Sequence, residues 1–341
     1  MNTKTAKCFW QRLTKLQPPS FMLRALAAAA GVIGFSATLT AQETTPAAGQ
    51  SPTPSGNGEQ YPFPSATALT PRPGNSLRIN ANADFSYVAG SKAEFRGAKG
   101  GDSDAHSIHV GATAVVPLDS EWFVPVGVSS GNIFLDSVTR MPVPDDIHTI
   151  RLYGGLGYRF NERLTVSGQF GPNFYRLDNV DTSTIGFSGL LNAVYRFKPT
   201  LTLAFGVAFN PDSEIPVLPI AGARWDISEA LTLNLMYPRP ALIYRLTPKL
   251  NLFTGADIKF TTFRAEEGLG NRIGLPRYNN AIATYRDFHF GVGAEYEILP
   301  RLWVSAEGGY SFGREIEYTR IDESVDFDSA PYAQVGLRYR F

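Results

Sequence analysis

The most constraining feature of this sequence is a strict alternation of apolar residues with small or polar ones, sustained over segments of roughly 9 to 14 residues. In one segment the apolar positions are Leu201, Leu203, Phe205, Val207 and Phe209, and the positions between them are Thr202, Ala204, Gly206, Ala208 and Asn210. Residues 164–171 and 287–296 repeat the pattern. Because successive side chains of a strand point to opposite faces, each segment predicts a strand with one apolar and one small or polar face.

Short polar junctions separate these segments. Four of them begin with Tyr and end with Leu, at residues 158–164, 195–201, 244–250 and 296–302. In the first three the Tyr is followed by Arg, and in the fourth by Glu. Looser copies lie at 116–123 and 225–231. The connections between the junctions are long and charged, at 90–104, 136–148, 264–280 and 313–328. Alternating tight and long connections predict an up-and-down meander whose tight turns lie at one end.

Strand length and the polar faces decide between a soluble sandwich and a barrel. The segments exceed the roughly 5 to 6 residues of globular strands and reach the roughly 9 to 11 that cross a bilayer at a tilt. Their polar faces are rich in Gly, Ala, Ser, Thr and Asn, which is typical of a wall that faces its own lumen. We therefore predict an all-β fold, a transmembrane antiparallel up-and-down β-barrel.

Six tight turns predict about fourteen strands when both termini lie at the turn end. The alternative is about twelve, because Pro238 and Pro240 leave only about 7 to 9 residues for each strand of the hairpin around them.

The first 75 residues predict export rather than fold. Residues 1–24 hold five basic residues and no acid, and residues 25–39 form an apolar run that ends near Ala41, so we interpret residues 1–41 as a signal peptide. The run is shorter than the roughly 20 residues of a membrane-spanning helix. Residues 42–75 are rich in Pro, Thr, Ser and Gly and predict a disordered linker, which leaves 76–341 for the barrel.

Composition excludes several other classes. The 31 Lys and Arg residues balance 31 Asp and Glu residues, so the basic excess of a nucleic-acid-binding protein is missing. A single Cys supports neither a disulfide framework nor a Cys-based zinc site. The four His residues show no metal-ligand spacing, and His289 shares a face with Asp287 without a recognisable nucleophile beside them. We assign no catalytic residue, no metal and no cofactor.

The C-terminal residues alternate toward a final aromatic residue. Apolar side chains occupy every second position at Ala333, Val335, Leu337, Tyr339 and Phe341. This end resembles the closing strand of bacterial outer-membrane barrels, and the resemblance implies outer-membrane lipid and the barrel-assembly machinery as partners, with Phe341 as the assembly signal. Residues 76–341 also resemble an uncharacterised family of porin-like outer-membrane barrels, a domain of unknown function. That resemblance rests on residues 224–225, 238–240, 244–246 and 253–255 and implies fold and location only.

Two sets of side chains follow from the alternation. On the outer face, six aromatic residues near the turn end predict a girdle at the lipid headgroups: Tyr158, Tyr195, Trp225, Tyr244, Tyr296 and Tyr339. Their neighbours point inward and predict a pore lining of mixed charge: Arg159, Arg196, Arg224, Arg245, Arg338, Arg340, Asp257, Glu295, Glu297 and Glu307. The arginines predict either a basic constriction that favours anionic or zwitterionic solutes or salt bridges with the inward acids.

These features favour a passive or weakly selective channel for small solutes in a bacterial outer membrane, and not an enzyme. The alternative is a closed structural or surface-binding barrel that acts through its outer loops, with the acidic segment 315–328 as the candidate binding loop. The large inward residues Tyr153, Phe253 and Trp303 favour a filled lumen, whereas the inward Gly, Ser and Thr residues favour an open one. The sequence leaves the solute and the oligomeric state open.

Overall fold

The computed structural model describes residues 77–136, 138–175 and 184–341, and the predicted signal peptide and linker lie outside these ranges. The strands of the described chain are β1 (Arg78–Phe95), β2 (Ala98–Pro117), β3 (Trp122–Leu135), β4 (Asp146–Arg159), β5 (Leu164–Phe174), β6 (Ile185–Lys198), β7 (Leu201–Phe209), β8 (Val217–Asp226), β9 (Leu231–Asn234), β10 (Ala241–Thr247), β11 (Leu250–Arg264), β12 (Ile282–Leu299), β13 (Leu302–Tyr318), β14 (Glu323–Phe327) and β15 (Ala330–Arg340). Helix α1 (Leu269–Ile273) and a 3₁₀ turn (Pro276–Tyr278) lie between β11 and β12.

The sheet closes on itself. From β1 to β13 each strand pairs antiparallel with the next, and β1 pairs with β15, which in turn pairs with β13. Strands β14 and β15 share one place in the wall, because β14 also lies between β13 and β1. The fifteen strands therefore fill fourteen wall positions, which confirms the predicted barrel of about fourteen strands.

The two ends of the barrel differ. All six predicted tight junctions connect strands at the end where β1 begins and β15 finishes, which we call the turn end. The opposite end, which we call the loop end, carries the long connections at 136–145 and 265–281. No helix in the described ranges has the length and hydropathy needed to cross a bilayer.

Two of the predicted long loops are wrong. Strands β1 and β2 continue to the pair Phe95 and Ala98, around a turn in which Gly97 has a φ of 77°. Strands β13 and β14 continue to the pair Tyr318 and Glu323. Charged residues mark these segments because the strands extend past the apolar band, where alternating charges are solvated and the backbone still pairs.

The outward face is an apolar band. Its exposed side chains include Val126, Val128, Leu152, Leu156, Phe170, Phe187, Leu191, Phe205, Val207, Phe209, Phe290, Val292, Tyr310, Phe312 and Val335. Inward positions on the same strands are buried and mostly polar, as with Ser188 and Asn192 on β6. Contiguous exposed apolar surface of this extent is unusual for soluble proteins and is what a transmembrane barrel presents to lipid.

The wall is much lower on one side. Strands β1, β2, β12 and β13 have 17 to 20 residues, whereas β9 has four and β10 has seven. Strand β9 pairs with β8 only at residues 224–226, and β10 pairs with β11 only at residues 250–255. Both strands stay in the sheet, so the alternative of twelve strands does not hold, but the loop-end part of the wall lacks a β9–β10 hairpin.

A packed apolar core fills the loop end of the barrel. Phe263 of β11, Ile316 of β13 and Val325 of β14 are fully buried, together with Leu269 of α1 and Tyr278 of the 3₁₀ turn. Strands β4 and β11 are not neighbours in the sheet, yet some of their Cα atoms approach within 8 Å. The β11–β12 connection therefore caps the loop end, and we call this cluster the cap.

Candidate functional site in the barrel lumen

The segment between β9 and β10, residues 235–240, leaves the wall and enters the lumen. Met236 packs against the inward side chains Phe123 and Val194, and Tyr237 packs against Ile220 and Leu190. We call this segment the inner loop. It fills the middle of the lumen, where the missing parts of β9 and β10 would otherwise have continued the wall.

Two glycines give the inner loop its path. A Cβ added to Gly222 of β8 would lie 2.8 Å from Met236 Sδ and 3.0 Å from Met236 Cα, closer than real Cβ contacts. A Cβ added to Gly255 of β11 would lie 2.4 Å from the Pro240 carbonyl oxygen. The backbone N–H groups of Ala256 and Ile258 donate to the carbonyls of Pro240 and Pro238, at 2.9 and 3.0 Å, so the loop returns along β11.

Arg239 anchors the inner loop to the far strands by charge. Its guanidinium donates a hydrogen bond to the carboxylate of Glu307 on β13, and its Nε lies 3.9 Å from Oδ2 of Asp257 on β11. The Tyr332 hydroxyl of β15 donates to the other oxygen of Glu307. All three charged side chains are at least nine-tenths buried. An ion pair that joins a loop to two strands at this depth fixes the loop in one position.

A second polar cluster lies beside this anchor. The Asp287 carboxylate of β12 accepts hydrogen bonds from Ser311 Oγ at 2.6 Å, from the Tyr285 hydroxyl at 3.1 Å and from His289 Nε2 at 2.9 Å. The His289 ring stacks on Tyr332 with centroids 4.0 Å apart. Ser311 and His289 both use Asp287, so neither this hydroxyl nor this ring is arranged as a nucleophile with its base.

A small cavity separates this cluster from β1 and β2. It has a volume of about 20 Å³, enough for one water molecule. Lys259 on its wall donates from Nζ to Ser86 Oγ at 3.3 Å, and the Ser86 and Ser107 hydroxyls are 2.6 Å apart. The remaining lining residues are Val88, Ala105, His109, Ile133, Thr261, Tyr285 and Asp287. At mid-height this side of the lumen is therefore filled by hydrogen-bonded side chains around the small cavity.

The six predicted inward arginines lie at the turn end, on the lumen face of their strands. Arg159 stacks its guanidinium 5.5 Å from the centroid of the inward Phe123 ring. Arg159, Arg196, Arg245 and Arg340 are partly exposed, and Arg224 and Arg338 are buried. Solvent therefore reaches the turn-end part of the lumen, which we call the vestibule.

The four predicted inward acids are divided between the vestibule and mid-lumen. Glu295 pairs with Arg338, and Glu297 accepts a hydrogen bond from the backbone N–H of Arg301 at 3.0 Å. Asp257 and Glu307 are the partners of Arg239. In addition, Arg224 Nη2 lies 3.6 Å from Oδ1 of Asp226. Arg224 and Arg338 are thus paired with carboxylates, whereas the described residues offer no carboxylate within 4 Å of Arg159 or Arg196.

The predicted girdle residues lie on the outward face near the turn end. Trp225, Tyr244 and Tyr296 are about half exposed, and the other three, Tyr158, Tyr195 and Tyr339, are partly exposed. Tyr158 packs on Trp122 with ring centroids 4.7 Å apart and donates its hydroxyl to Glu121 at 2.7 Å. An apolar ring with a polar tip is the chemistry expected at the headgroup level.

The terminal Phe341 closes the seam between the first and last strands. Its backbone N–H donates to the Ile79 carbonyl at 2.8 Å, and its carbonyl accepts from the Ile79 N–H at 3.1 Å. The Arg301 guanidinium lies 5.2 Å from the centroid of its ring. The residue predicted as an assembly signal is thus also the last rung of the barrel.

At the loop end, Glu323 ties the cap together. Its carboxylate accepts hydrogen bonds from Arg96 Nε at 3.0 Å, from Arg277 Nη2 at 2.7 Å and from the Tyr278 hydroxyl. Burial would raise the pKa of this carboxyl, but the hydrogen bonds and the two guanidinium charges outweigh it and lower the pKa. Burial and Glu323 raise the pKa of Tyr278 to about 12.

Within the acidic segment 315–328, the carboxylates of Glu315 and Glu317 lie together around one arginine rather than around an open site. Arg286 Nη2 of β12 lies 3.0 Å from Oε2 of Glu315 and 3.7 Å from Oε2 of Glu317. Glu323 of the same segment contacts the cap instead. Nowhere in the described part of the chain do three His, Cys, Asp or Glu side chains group closely enough to hold a metal ion. The carboxylates at the loop end are therefore arranged as partners of arginines and not as metal ligands.

Sequence reasoning missed the residues that block the lumen. Met236, Tyr237 and Arg239 belong to the inner loop and Lys259 lies beside the Asp287 cluster, and none of them was predicted to lie in the lumen. The signal was the pair Pro238 and Pro240, which indicated a turn, whereas the direction of that turn depends on contacts with distant strands.

Solved barrels resemble the chain only distantly. The "COG4313 outer membrane channel from Pseudomonas putida F1" is 11% identical, with 78% of this chain and 96% of that chain covered and a TM-score of 0.43. The "CymD monoaromatic hydrocarbon channel" is 11% identical, with coverage of 81% and 91% and a TM-score of 0.41. The P. putida toluene transporter TodX is 12% identical, with coverage of 81% and 92% and a TM-score of 0.37. Similarity at this level says nothing about function, and the barrel rests on its own strand pairing.

The sequence places the chain more firmly. No curated protein matches it. A family model described as "Domain of unknown function (DUF6268)" matches residues 139–340, which is more than half of the chain and runs from the connection before β4 to the last strand. The chain is therefore a member of the DUF6268 family of uncharacterised outer-membrane-type β-barrels.

Proposed function

We propose that this protein is an outer-membrane channel for small solutes, with a bias toward anions, and that the inner loop closes it in the conformation described. The location is supported by the apolar band with its aromatic girdle, which matches the outer face of bacterial outer-membrane barrels. The closed state is supported by the inner loop at mid-height, where Met236 packs against inward side chains of β3 and β6 and Arg239 pairs with Glu307 of β13.

One observation carries the proposal: a stretch of wall is diverted into the lumen and held there by buried charges. A purely structural barrel has no use for this arrangement, because a complete β9–β10 hairpin and an apolar filling would be more stable. Buried ion pairs contribute weakly to stability, since desolvation offsets their attraction. Buried ionisable groups at membrane depth mark a functional position more often than a structural one. Arg239 is the only charged residue of the inner loop, so loss of its ion pairs removes the charged anchor of the loop.

The anion bias rests on the charge of the vestibule. Six inward arginines face three inward acids, Asp84, Glu295 and Glu297, with Asp226 beside Arg224. Arg159 and Arg196 remain partly exposed to solvent with no carboxylate partner in the described ranges. A ring of guanidinium groups in a low-dielectric mouth raises the local concentration of anions.

The test is single-channel conductance of the refolded chain in a planar bilayer with a salt gradient, for the wild type and for Arg239→Gln. We expect brief, rare openings in the wild type and long openings in Arg239→Gln, with a reversal potential that indicates anion preference. Replacing Arg159 and Arg196 with Gln should reduce that preference without changing the open time. A correctly folded Arg239→Gln protein that never conducts would refute the channel.

A second candidate is favoured by the cap. Tyr278 and Leu269 of the β11–β12 connection are fully buried in the cap. Tyr318 donates its hydroxyl to the Pro142 carbonyl at 2.7 Å. An ordered outer surface of this kind suits a closed barrel that binds a partner through its loops. The conductance experiment separates the two, since a closed surface-binding barrel conducts in neither the wild type nor Arg239→Gln.

A further inference from the structure

The cap and the short hairpin together raise the question of where a solute would leave the lumen. Phe263, Ile316 and Val325 fill the loop end along the barrel axis, so an axial route requires this core to unpack. The wall itself is interrupted instead. Residues 217–222 of β8 and 259–264 of β11 have no strand paired to the edges that face each other, within the described ranges. We call this interruption the lateral seam.

The lateral seam lies at the depth of the bilayer. The outward residues of β8 along it are Val217, Pro219 and Ala221, and all three are exposed. Their cross-strand partners on β7 are Phe209, Val207 and Phe205, which belong to the apolar band. Open sheet edges are not tolerated against lipid, but they occur where backbone lines a cavity or is covered by protein. The seam is therefore a place where the lumen wall depends on side chains rather than on backbone pairing.

The inner side of the seam is apolar. Leu218 and Ile220 of β8 point inward and pack with Leu190, Ala208 and Tyr237, and Tyr237 belongs to the inner loop. The same loop that blocks the lumen thus also covers the seam from inside. One displacement of the inner loop would uncover both.

An ion pair bounds the seam at the loop end. Arg286 Nη2 of β12 lies 3.4 Å from Oε2 of Glu214, which belongs to the connection between β7 and β8. The same atom lies 3.0 Å from Oε2 of Glu315 on β13, the strand that is already paired with β12. The first contact spans the seam past β11, and the second joins two hydrogen-bonded strands.

We infer that the lateral seam is the outlet between the lumen and the bilayer, and that its solutes are small amphipathic anions with an apolar body. This inference rests on the proposed function, since it requires that solutes enter the lumen. The apolar seam selects the body of the solute, and the arginines of the vestibule select its charged group. A solute of this kind leaves the lumen through the seam into the outer leaflet, and ions that carry current leave at the loop end of the seam, where Arg286 and Glu214 are partly exposed.

The test uses two anions with the same charged group, benzenesulfonate and methanesulfonate, and measures their entry into liposomes that contain the full chain. In a Cys8→Ser background, Glu214→Cys with Arg286→Cys is joined across the seam by a short cleavable reagent that links two thiols. The matched control, Glu315→Cys with Arg286→Cys, is joined in the same way between paired strands. Each protein is linked after folding, and each is also measured with Arg239→Gln.

We expect benzenesulfonate to enter faster than methanesulfonate, and the link across the seam to slow its entry by about tenfold, since a constriction governs passage. Cleaving the reagent should restore entry, and the control link should leave it unchanged. Entry of benzenesulfonate that is unaffected by the seam link, or faster entry of methanesulfonate, would overturn the lateral outlet and leave the channel standing. Failure of both anions to enter, even with Arg239→Gln, would overturn the channel as well.

Discussion

Arg239 and Glu307 form an ion pair between the inner loop and β13, and strands β11 and β12 lie between their positions in the sheet. The contact thus joins parts of the wall that are not neighbours. It also depends on Asp257 and Tyr332, which face the same two side chains. Most of the expected behaviour of the protein follows from this contact and from the cap above it.

We predict that Arg239→Gln and Glu307→Gln each favour the open channel. Removing one partner of a buried ion pair costs about 3 to 5 kcal/mol. Even the lower figure shifts a closed-to-open equilibrium by about a hundredfold, since each 1.4 kcal/mol is tenfold. Open probability in single-channel records gives the measurement. The double variant should open no more than either single variant, because both remove one contact; additive effects would show that the two residues act separately.

We predict that Gly222→Val displaces the inner loop. The new side chain would occupy the space of Met236, whose Cα already lies 3.0 Å from the position of an added Cβ. Conductance should increase as it does for Arg239→Gln. Ala221→Val is the matched control, because Ala221 is the next residue of β8 and faces outward. Equal conductance changes in the two variants would contradict this path for the loop.

We predict that Phe263→Ala loosens the cap without affecting the band that contacts lipid. Phe263 is fully buried in the cap, and truncation of a buried Phe costs about 3 to 5 kcal/mol. Hydrogen exchange of residues 265–281 should become faster. Phe260→Ala on the outward face of β11 is the control and should leave the exchange of that connection unchanged. Equal exchange in wild type and Phe263→Ala would mean that the cap is held by its polar contacts.

We predict that acid releases the cap through Glu323. Its folded pKa is lower than the ordinary value of 4.5, so the carboxylate stabilises the cap fully above pH 4.5 and loses this effect as pH falls through the folded pKa. Hydrogen exchange of residues 265–281, corrected for its intrinsic pH dependence, should therefore lose protection only below pH 4.5. Glu323→Gln should lower protection at neutral pH and abolish the transition. A transition of the same size in Glu323→Gln would assign it to another group.

We predict that deletion of Phe341 lowers assembly of the barrel, and Phe341→Ala shows whether the ring is responsible. Deletion removes both the ring and the two backbone hydrogen bonds to Ile79, whereas Phe341→Ala removes the ring alone. If the ring is the assembly signal, both variants should lower the amount of heat-modifiable barrel in the outer membrane. If the backbone hydrogen bonds to Ile79 dominate, Phe341→Ala should assemble normally. Normal assembly of both variants would contradict either role.

The sequence predicted whatever depends on local alternation. The inward direction of Arg159 and Arg196 and the outward direction of Trp225 follow from the two faces of a strand, and the tight turns follow from their short polar junctions. These features require no knowledge of distant strands. The number of wall positions follows in turn from the number of turns.

What escaped prediction depends on contacts that are distant in sequence. Gly222 and Gly255 read as ordinary small residues of a lumen face, and only the folded wall shows that they admit the inner loop. Leu269 and Tyr278 lie in a charged connection, and their burial depends on apolar positions of β1, β13 and β14. Charge alone predicted long loops here, because charged residues are common both in solvated loops and in strands that extend into solvent.

The low wall at β9 and β10 has a consequence for the lipid around the barrel. Strands of four and seven residues cannot match the hydrocarbon thickness, which takes about 9 to 11 residues in a tilted strand. A bilayer beside a short apolar surface adapts by thinning, at a modest cost per Å of mismatch. We expect the outer leaflet to be thinner beside β9 and β10, and its acyl chains there to be less ordered than those beside β1 and β2.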